Sequence, residues 1–141
     1  MATHTETLEL AGSAGSDIHD VTGQVQEAVS RSGIGQGLVT VHTPGSTAAV
    51  TTIEYESGAL SDLQALLEEL APRGGEYAHN ARWGDGNGYS HLRAALLGPS
   101  LTLPVLEGRA VLGTWQQVVV LDFDNRPRRR RVLIQVLGDP A

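Results

Sequence analysis

Three of the five histidines stand where they could share a site. His42 ends a strand-like stretch, His79 lies in a long irregular segment, and His91 follows near the start of a helix-like segment. We expect the three imidazoles to meet at one end of a sheet, where loops that carry function are positioned. A single histidine is more often a hydrogen-bonded structural residue, but a group of imidazoles binds metal or moves protons. His4 and His19 are expected to be solvated and to lie outside this group.

Two carboxylates could join the imidazoles. Glu54 interrupts an apolar strand-like run, and Asp85 lies in the irregular segment. Each can serve as an oxygen ligand or as a proton acceptor. Cysteine is absent, so a metal would depend on His, Asp and Glu. We therefore predict His42, His79 and His91 as ligands of a divalent ion such as Mg or Zn, with Glu54, His79 and Asp85 in catalytic roles.

A glycine-rich run, Gly84–Gly88, leads into the helix-like segment. Backbone N–H groups at such a junction can bind an anion, although the spacing matches neither a P-loop nor a dinucleotide fingerprint. An ordinary irregular loop is the alternative. Asn87 can either cap the helix or contact substrate. The predicted substrate contacts in this region are Gly86, Asn87, Gly88 and Tyr89.

Four consecutive arginines, Arg128 to Arg131, begin a strand-like segment. Side chains alternate along a strand, so Arg128 and Arg130 should share one face while Arg129 and Arg131 share the other. A guanidinium is suited to bidentate recognition of phosphate. A solvated or inter-subunit strand is the alternative. Only Arg128 is assigned to the site.

Gly113-Thr114-Trp115-Gln116 is the remaining unusual block. A tryptophan followed by glutamine in a strand-like run is a poor choice for packing alone, since a half-buried amide must find partners. We predict Trp115 and Gln116 as part of a pocket wall. In a regular strand they would point to opposite faces, which favours Gln116 as the polar contact.

The elements that must position these residues alternate between strands and helices without βαβ repetition. Strands are predicted at 3–10, 37–42, 47–55, 101–106, 109–112, 115–123 and 128–137, from alternation and β-branched content. Helices are predicted from Ser16 or Asp17 to Gly33, over 59–70, and from near Ser90 to Gly98. The segment 73–88 is expected to be an irregular functional loop. The prediction is one α+β domain over 1–141, a two-layer arrangement of a mostly antiparallel sheet with two or three helices.

Composition narrows the function classes. The net charge of −6 opposes a broad nucleic-acid surface, because affinity for nucleic acid depends on neutralising phosphates. No stretch of eighteen apolar residues and no secretory leader is apparent, so we expect a soluble, cytoplasmic protein without membrane contact. Nucleophilic serine catalysis is not favoured, because no Gly-x-Ser-x-Gly elbow is present.

Several blocks in one order resemble the YjbQ-like family, also called the secondary thiamine-phosphate synthase family. The blocks comprise the stretch from Ser100 through Gly113-Thr114-Trp115-Gln116, His42–Glu54, Tyr77-Ala78-His79, Gly84–Leu92 and Pro127-Arg128. The chain differs from the family at Tyr89, where a histidine is usual, which puts a His-x-His metal site in doubt. The resemblance covers roughly residues 33 to 138.

This resemblance implies an enzyme that joins hydroxymethylpyrimidine diphosphate to thiazole phosphate with release of pyrophosphate. It also implies a small phosphorylated substrate, a divalent ion and a homotrimer with its pocket near a subunit boundary. Asp85, the loop amides and Arg128 would then stabilise the leaving pyrophosphate, while Trp115 and Gln116 would line the pyrimidine site. Two alternatives are a metal-dependent hydrolase with Glu54 as base and a non-catalytic small-molecule-binding oligomer.

Overall fold

A computed structural model describes residues 1–141. The chain forms eight strands and four helices. The strands are β1 (Ala2–Ala11), β2 (Asp17–Asp20), β3 (Ile34–His42), β4 (Ala48–Ile53), β5 (Ser100–Leu106), β6 (Arg109–Ala110), β7 (Gln117–Asp122) and β8 (Arg129–Pro140). The helices are α1 (Thr22–Ser32), α2 (Ser57–Leu70), α3 (Ala78–Trp83) and α4 (Gly88–Leu97).

The larger group of strands is a five-stranded antiparallel sheet in the order β1-β8-β3-β5-β6. Strand β8, which lies between β1 and β3, alternates strictly, with Val132, Ile134 and Val136 buried and the residues between them more exposed. This alternation is the pattern of a strand whose one face packs on the core. The other face of the sheet carries no helix, and Leu38, Leu106 and Leu137 remain substantially exposed there.

The smaller group is a three-stranded antiparallel sheet in the order β2-β7-β4. Its central strand β7 is buried from Val118 to Asp122. Val118 and Val120 pack into the core shared with the larger sheet and α1, whereas Val119 and Leu121 pack against α2 and α4. A strand covered on both faces is apolar at consecutive positions, which explains the Val118–Leu121 run. The predicted α+β class, with helices packed on an antiparallel sheet, is confirmed.

The start of the first helix differs from the sequence prediction. Helix α1 begins at Thr22, because Asp17–Asp20 forms β2 and pairs with β7. Asp17 does not cap a helix, and its carboxylate instead accepts hydrogen bonds from the Ser13 N–H and hydroxyl at 2.5 and 2.7 Å. The predicted stop is confirmed, since Gly33 ends α1 in the left-handed conformation.

Two further segments differ. The expected irregular loop 73–88 contains the short helix α3, which ends at Gly84 with φ of 72°. The predicted strand 115–123 begins only at Gln117, because Gly113–Gln116 forms a turn closed by the Gln116 N–H donating to the Gly113 carbonyl at 3.1 Å. None of the four helices combines the length and apolar character needed to cross a membrane.

Candidate functional site

A polar cleft of about 440 Å³ opens at one end of the three-stranded sheet. It lies where the chain enters β4 and where it leaves β7, and α3 and the start of α4 form its outer side. The volume is within the range of small-molecule sites. Its lining residues are Gly45, Ser46, Thr47, His79, Trp83, Asp85, Asn87, His91, Asp124, Arg128 and Arg130.

His79 and His91 meet in this cleft. His79 lies on α3 and His91 on α4, and their ring centroids are 4.5 Å apart with an interplanar angle of 43°. The His79 Nδ1 atom lies 3.4 Å from Asp85 Oδ1, so a carboxylate stands beside the imidazole. A histidine next to an aspartate can move a proton to or from a bound ligand. The expected grouping of His79, His91 and Asp85 is therefore present.

The loop between α3 and α4 is held by amide side chains. Asn125 Nδ2 donates to the Asp85 carbonyl at 2.9 Å. Asn87 is buried, and with its amide nitrogen turned toward Asp85 it donates to both carboxylate oxygens at 3.0 and 3.2 Å. Gly86 occupies the left-handed region at φ of 70°, which glycine adopts without strain. Asn87 lines the cleft, whereas Gly86 and Gly88 shape the loop without lining it.

Arg128 carries free donors into the cleft. Its Nε donates to Asp124 Oδ2 at 2.7 Å, and neither terminal nitrogen makes a hydrogen bond. Asp124 is 1% exposed. Burial alone would raise the pKa of Asp124, but hydrogen bonds from Arg128, Thr47 and the Asn125 N–H hold that pKa below its ordinary value. The carboxylate therefore stays ionised at neutral pH and orients the Arg128 guanidinium.

Arg130 lies beneath the same end of the sheet and is 8% exposed. Its Nη2 donates to Thr47 Oγ1 at 2.6 Å and to Asp122 Oδ1 at 2.8 Å. The predicted alternation of the arginines is confirmed, because Arg128 and Arg130 line the cleft while Arg129 projects into solvent beside Glu9. Arg130 therefore lines the cleft together with Arg128, the one arginine that the sequence analysis assigned to the site.

His42 does not join the other two imidazoles within one chain. It lies on the uncovered face of the five-stranded sheet, where its Nδ1 is 2.5 Å from Ser100 Oγ in a separate depression. Val39 and Val41 point into the core, so period-two geometry turns His42 to the opposite face. Within one chain, therefore, only His79 and His91 of the predicted three-histidine cluster lie together.

Glu54, Trp115 and Gln116 lie at the far end of the three-stranded sheet. Glu54 is exposed just beyond β4, whose first residues adjoin the cleft, and a six-residue strand spans about 20 Å. Trp115 is 72% exposed. Gln116 Oε1 accepts from the Gly113 N–H at 3.0 Å, and its Nε2 donates to Thr52 Oγ1 at 3.3 Å. These contacts stabilise the turn, and none of the three residues reaches the cleft of its own chain.

Tyr89 is buried, 1% exposed, and does not line the cleft. Its ring lies between Arg73 and Arg93, whose guanidinium carbons are 5.6 and 5.0 Å from the ring centroid. His91 follows Tyr89 by two residues, a step that rotates the side chain by about 200° around the axis of α4. The two side chains therefore lie on opposite faces of the helix. Tyr89, predicted as a substrate contact, is therefore not part of the cleft surface of its own chain.

The remaining histidines lie outside the cleft as expected, but they are not both solvated. His4 Nε2 lies 2.7 Å from Glu6 Oε2. His19 is partly buried on β2, and its Nε2 is sealed without a hydrogen-bond partner. Its burial follows from β2, the strand that replaced the predicted helix start.

The side chains of one chain do not by themselves form a metal site. No group of three His, Asp or Glu side chains converges anywhere in the chain. Structural and catalytic zinc sites in proteins use at least three such ligands. The predicted set of His42, His79 and His91 is divided between two faces, so no catalytic step is assigned to a resident metal.

Sequence reasoning did not assign four polar residues that line the cleft: Ser46, Thr47, Asp124 and Arg130. It also did not assign Asp122, which is buried and pairs with Arg130. Asp124 and Asp122 lie in the turn and strand end that precede the arginine run, and they neutralise the two arginines that face inward. The alternation of side chains along the strand could have identified Arg130, because a strand residue two positions from Arg128 must share its face. Thr47 offered no comparable signal.

The fold and cleft define a small α+β protein with a polar, ligand-sized site of imidazole, carboxylate and guanidinium groups. The chain belongs to the UPF0047 protein YjbQ-like family, whose model matches residues 6–139. A UPF0047 protein of Methanothermobacter thermautotrophicus is 41% identical over 140 residues, 99% of this chain and 96% of the relative. One from Archaeoglobus fulgidus is 42% identical, over 86% of this chain and 91% of its own length.

Solved structures agree with the fold. A hypothetical protein from Aeropyrum pernix superposes with a TM-score of 0.86 at 36% identity, covering 99% of this chain and all of that one. A YbjQ-like protein from Sulfolobus solfataricus gives 0.87 at 29% identity, covering 98% of this chain and 100% of its own. The arrangement described above is therefore similar to that of these two solved proteins.

Proposed function

We propose that the cleft is the active site of a transferase acting on a small phosphorylated substrate, of the thiamine-phosphate synthase type that the sequence resemblance implies. The observation that carries the proposal is Arg128, whose two terminal nitrogens are unpaired in a cleft that also holds the His79–Asp85 pair. Guanidinium groups with free donors favour phosphate oxygens.

In this reaction the thiazole nitrogen attacks the pyrimidine methylene carbon, and the bond from that carbon to the diphosphate oxygen breaks. Pyrophosphate leaves with the electron pair. Arg128 would stabilise the charge that develops on the leaving group, since donors fixed in place before reaction give the largest electrostatic effect. His79, with Asp85 nearby at 3.4 Å, would donate a proton to the departing oxygen. Trp83 supplies the one aromatic surface in the cleft.

Any divalent ion is proposed to arrive with the diphosphate rather than to be held by the chain alone. Magnesium in phosphoryl sites is commonly bound by one or two carboxylates together with substrate phosphates. Asp85 is a carboxylate of the cleft that could serve in this way, with its side chain 33% exposed. The hydrolase alternative is less well supported, because Glu54 lies at the other end of the sheet and no third metal ligand joins His79 and His91.

The test combines turnover with a matched pair of arginine variants. Purified chain is incubated with hydroxymethylpyrimidine diphosphate and thiazole phosphate, and both thiamine phosphate and pyrophosphate are quantified. Arg128→Lys is expected to lower kcat/KM by about tenfold or more, because lysine cannot reproduce the planar fork. Arg129→Lys, its exposed neighbour, is the control and should behave as wild type.

Absence of both products from the wild-type reaction would refute the proposed reaction. Formation of both products with equal kinetics in the two variants would remove Arg128 from the mechanism. A cleft that binds pyrophosphate without turning over either substrate would favour the binding-module alternative.

A homotrimer is also proposed, from the resemblance and from the uncovered face of the five-stranded sheet. Leu38 and Leu106 are 48% and 51% exposed there, and no element of the same chain covers them. Contact between copies through this face would bury these side chains. Light scattering should then give about three times the 14.9 kDa of one chain. A monomeric mass at micromolar concentration would contradict the proposal.

A further inference from the structure

The segment that joins β3 to β4 leaves a row of unused donors at the cleft. The backbone N–H groups of Gly45, Ser46 and Thr47 make no hydrogen bond to any backbone or side-chain acceptor. Gly45 and Ser46 are exposed, whereas Thr47 is 6% exposed. Polar backbone groups left unpaired near the interior are rare, and consecutive free N–H groups form concave sites that bind anions.

A second, independent feature points at the same place. Arg130 is 92% buried by residue area, yet its Nε and Nη1 make no hydrogen bond. Nη1 lies beside the segment, 3.2 Å from the position that a Cβ on Gly45 would occupy. Of these two nitrogens only Nε is sealed from solvent, and an acceptor bound beside the segment would satisfy the N–H groups of Nη1. Absence of a side chain at Gly45 keeps the space beside that nitrogen open.

The charged side chains around the cleft indicate how an anion would be recognised there. Arg128 is balanced by Asp124 at 2.7 Å, and Arg130 is balanced by Asp122 at 2.8 Å. Asp85 adds a further carboxylate on the α3 side of the cleft. Binding at the segment would therefore depend on directed N–H donors rather than on net positive charge.

We propose that Gly45, Ser46 and Thr47, together with Arg130 Nη1, form an oxyanion-binding subsite that holds one phosphate group of a diphosphate-bearing ligand. This inference rests on the proposed function in placing a phosphorylated substrate in the cleft. It adds a second anchor, separate from Arg128, as recognition of a ligand with two phosphate groups requires. In this proposal the Gly45–Thr47 segment, rather than the glycine-rich run Gly84–Gly88, provides the backbone N–H groups that bind the anion.

The direct test is titration of ¹⁵N-labelled protein with inorganic pyrophosphate and, separately, with inorganic phosphate. The amide signals of Gly45, Ser46 and Thr47 are expected to shift in a saturable manner with pyrophosphate, and to a smaller extent with phosphate. The Gly74 amide, in the segment after α2, is the internal reference. Signals that shift only in the 84–88 loop, or no saturable shift at all, would overturn the subsite.

A matched pair of variants tests the space beside Arg130. Gly45→Val places a side chain against Nη1 and should raise the Kd for pyrophosphate at least tenfold. Gly74→Val is the control, because a Cβ at Gly74 meets nothing within 4 Å. Ser46→Pro removes one N–H group without adding bulk at Gly45, and should also raise the Kd. Equal affinity in Gly45→Val, Ser46→Pro and wild type would refute the inference.

The two proposals fail separately. Amide shifts with pyrophosphate but no thiamine phosphate formation would support the subsite and refute the synthase reaction. Thiamine phosphate formation that is unchanged in folded Gly45→Val and Ser46→Pro would support the reaction and refute the subsite. Thermal unfolding of each variant verifies that it is folded before binding is compared.

Discussion

Arg128 Nε donates to Asp124 Oδ2 at 2.7 Å across the turn that joins β7 to β8. The carboxylate is buried, whereas the guanidinium is 45% exposed by side-chain area. The pair therefore has a fixed end and an open end, and the open end faces the cleft. This asymmetry allows Arg128 to keep one orientation while its terminal nitrogens remain available to a ligand.

Removing the fixed end should affect both stability and function. Asp124→Asn is expected to lower the free energy of unfolding by about 1–3 kcal/mol, because Arg128, Thr47 and the Asn125 N–H lose a charged acceptor. The apparent KM for the diphosphate substrate should rise as well, since Arg128 loses its orientation. Urea unfolding and steady-state kinetics measure the two effects. Asp139→Asn, on an exposed carboxylate, is the control and should change neither.

The Tyr89 hydroxyl should be dispensable. This phenol oxygen is buried without a hydrogen-bond partner, so Tyr89→Phe removes a polar group that gains nothing from the fold. Stability is expected to stay equal or to rise by up to about 1 kcal/mol. Thermal unfolding at neutral pH measures this, and a large loss of stability would indicate a bound water or another partner for the hydroxyl.

Tyr89→His is expected to destabilise the protein by about 1–3 kcal/mol, because a smaller polar ring replaces a buried aromatic between Arg73 and Arg93. It should not create a metal site, since Tyr89 faces away from His91. Comparing bound metal in wild type and variant after the same purification decides this point. A gain of one metal equivalent would mean that the tyrosine does stand at a ligand position.

Metal removal should leave the fold unaffected. Wild-type protein dialysed against a chelator is expected to keep its unfolding temperature, and added zinc or magnesium should not raise that temperature, because no three protein ligands converge. Calorimetry with metal analysis measures both. This expectation would be contradicted if wild type kept one zinc per chain after dialysis and the His91→Ala variant did not. If both proteins kept the zinc, the metal would be bound at a place other than His91.

Acid should weaken the contact between β1 and α1. Hydrogen bonds from Arg31 and then His4 lower the pKa of Glu6 from 4.5 to about 2. A depressed carboxyl pKa contributes stability that is complete above the unfolded-state value and is lost as the pH falls toward the folded-state value. Stability of wild type should therefore decline between pH 4.5 and about 2 more steeply than that of Glu6→Gln.

Acid titration followed by circular dichroism provides the comparison. Glu9→Gln is the control, because Glu9 makes only a looser pair with Arg129 at 3.3 Å on the surface. Equal pH dependence in wild type and Glu6→Gln would show that the Glu6–Arg31 pair contributes no net stability.

The parts of the fold that the sequence predicted are those in which local pattern and tertiary packing agree. Val118–Leu121 is apolar at every position because both faces of β7 are covered, and Gly33 stops α1 because only glycine adopts its conformation readily. Asp17–Asp20 shows the opposite case. The polar and apolar residues there fit a helix start, and pairing with β7 decides the outcome.

The site residues in loops that return to one end of the sheet could be predicted from the sequence. The residues whose place depends on which face of a strand they occupy were not predicted. His79, Asp85, Asn87, His91 and Arg128 were all expected, and they do line one cleft. His42 was expected with them, although alternation with Val39 and Val41 already turns it to the other face. The roles of Thr47 and Asp122 depend on their contacts with Arg130. Those contacts form only when β4, β7 and β8 come together in the folded chain.

The two tryptophans lie at opposite ends of the three-stranded sheet, Trp83 at the cleft and Trp115 in the turn before β7. They are 67% and 72% exposed, so both should emit as solvated indoles in the free protein. The chain therefore contains a built-in optical reporter with an internal reference. Replacing Trp115 with phenylalanine leaves a single tryptophan, and its emission on selective excitation should follow occupancy of the cleft without a label or a coupled assay.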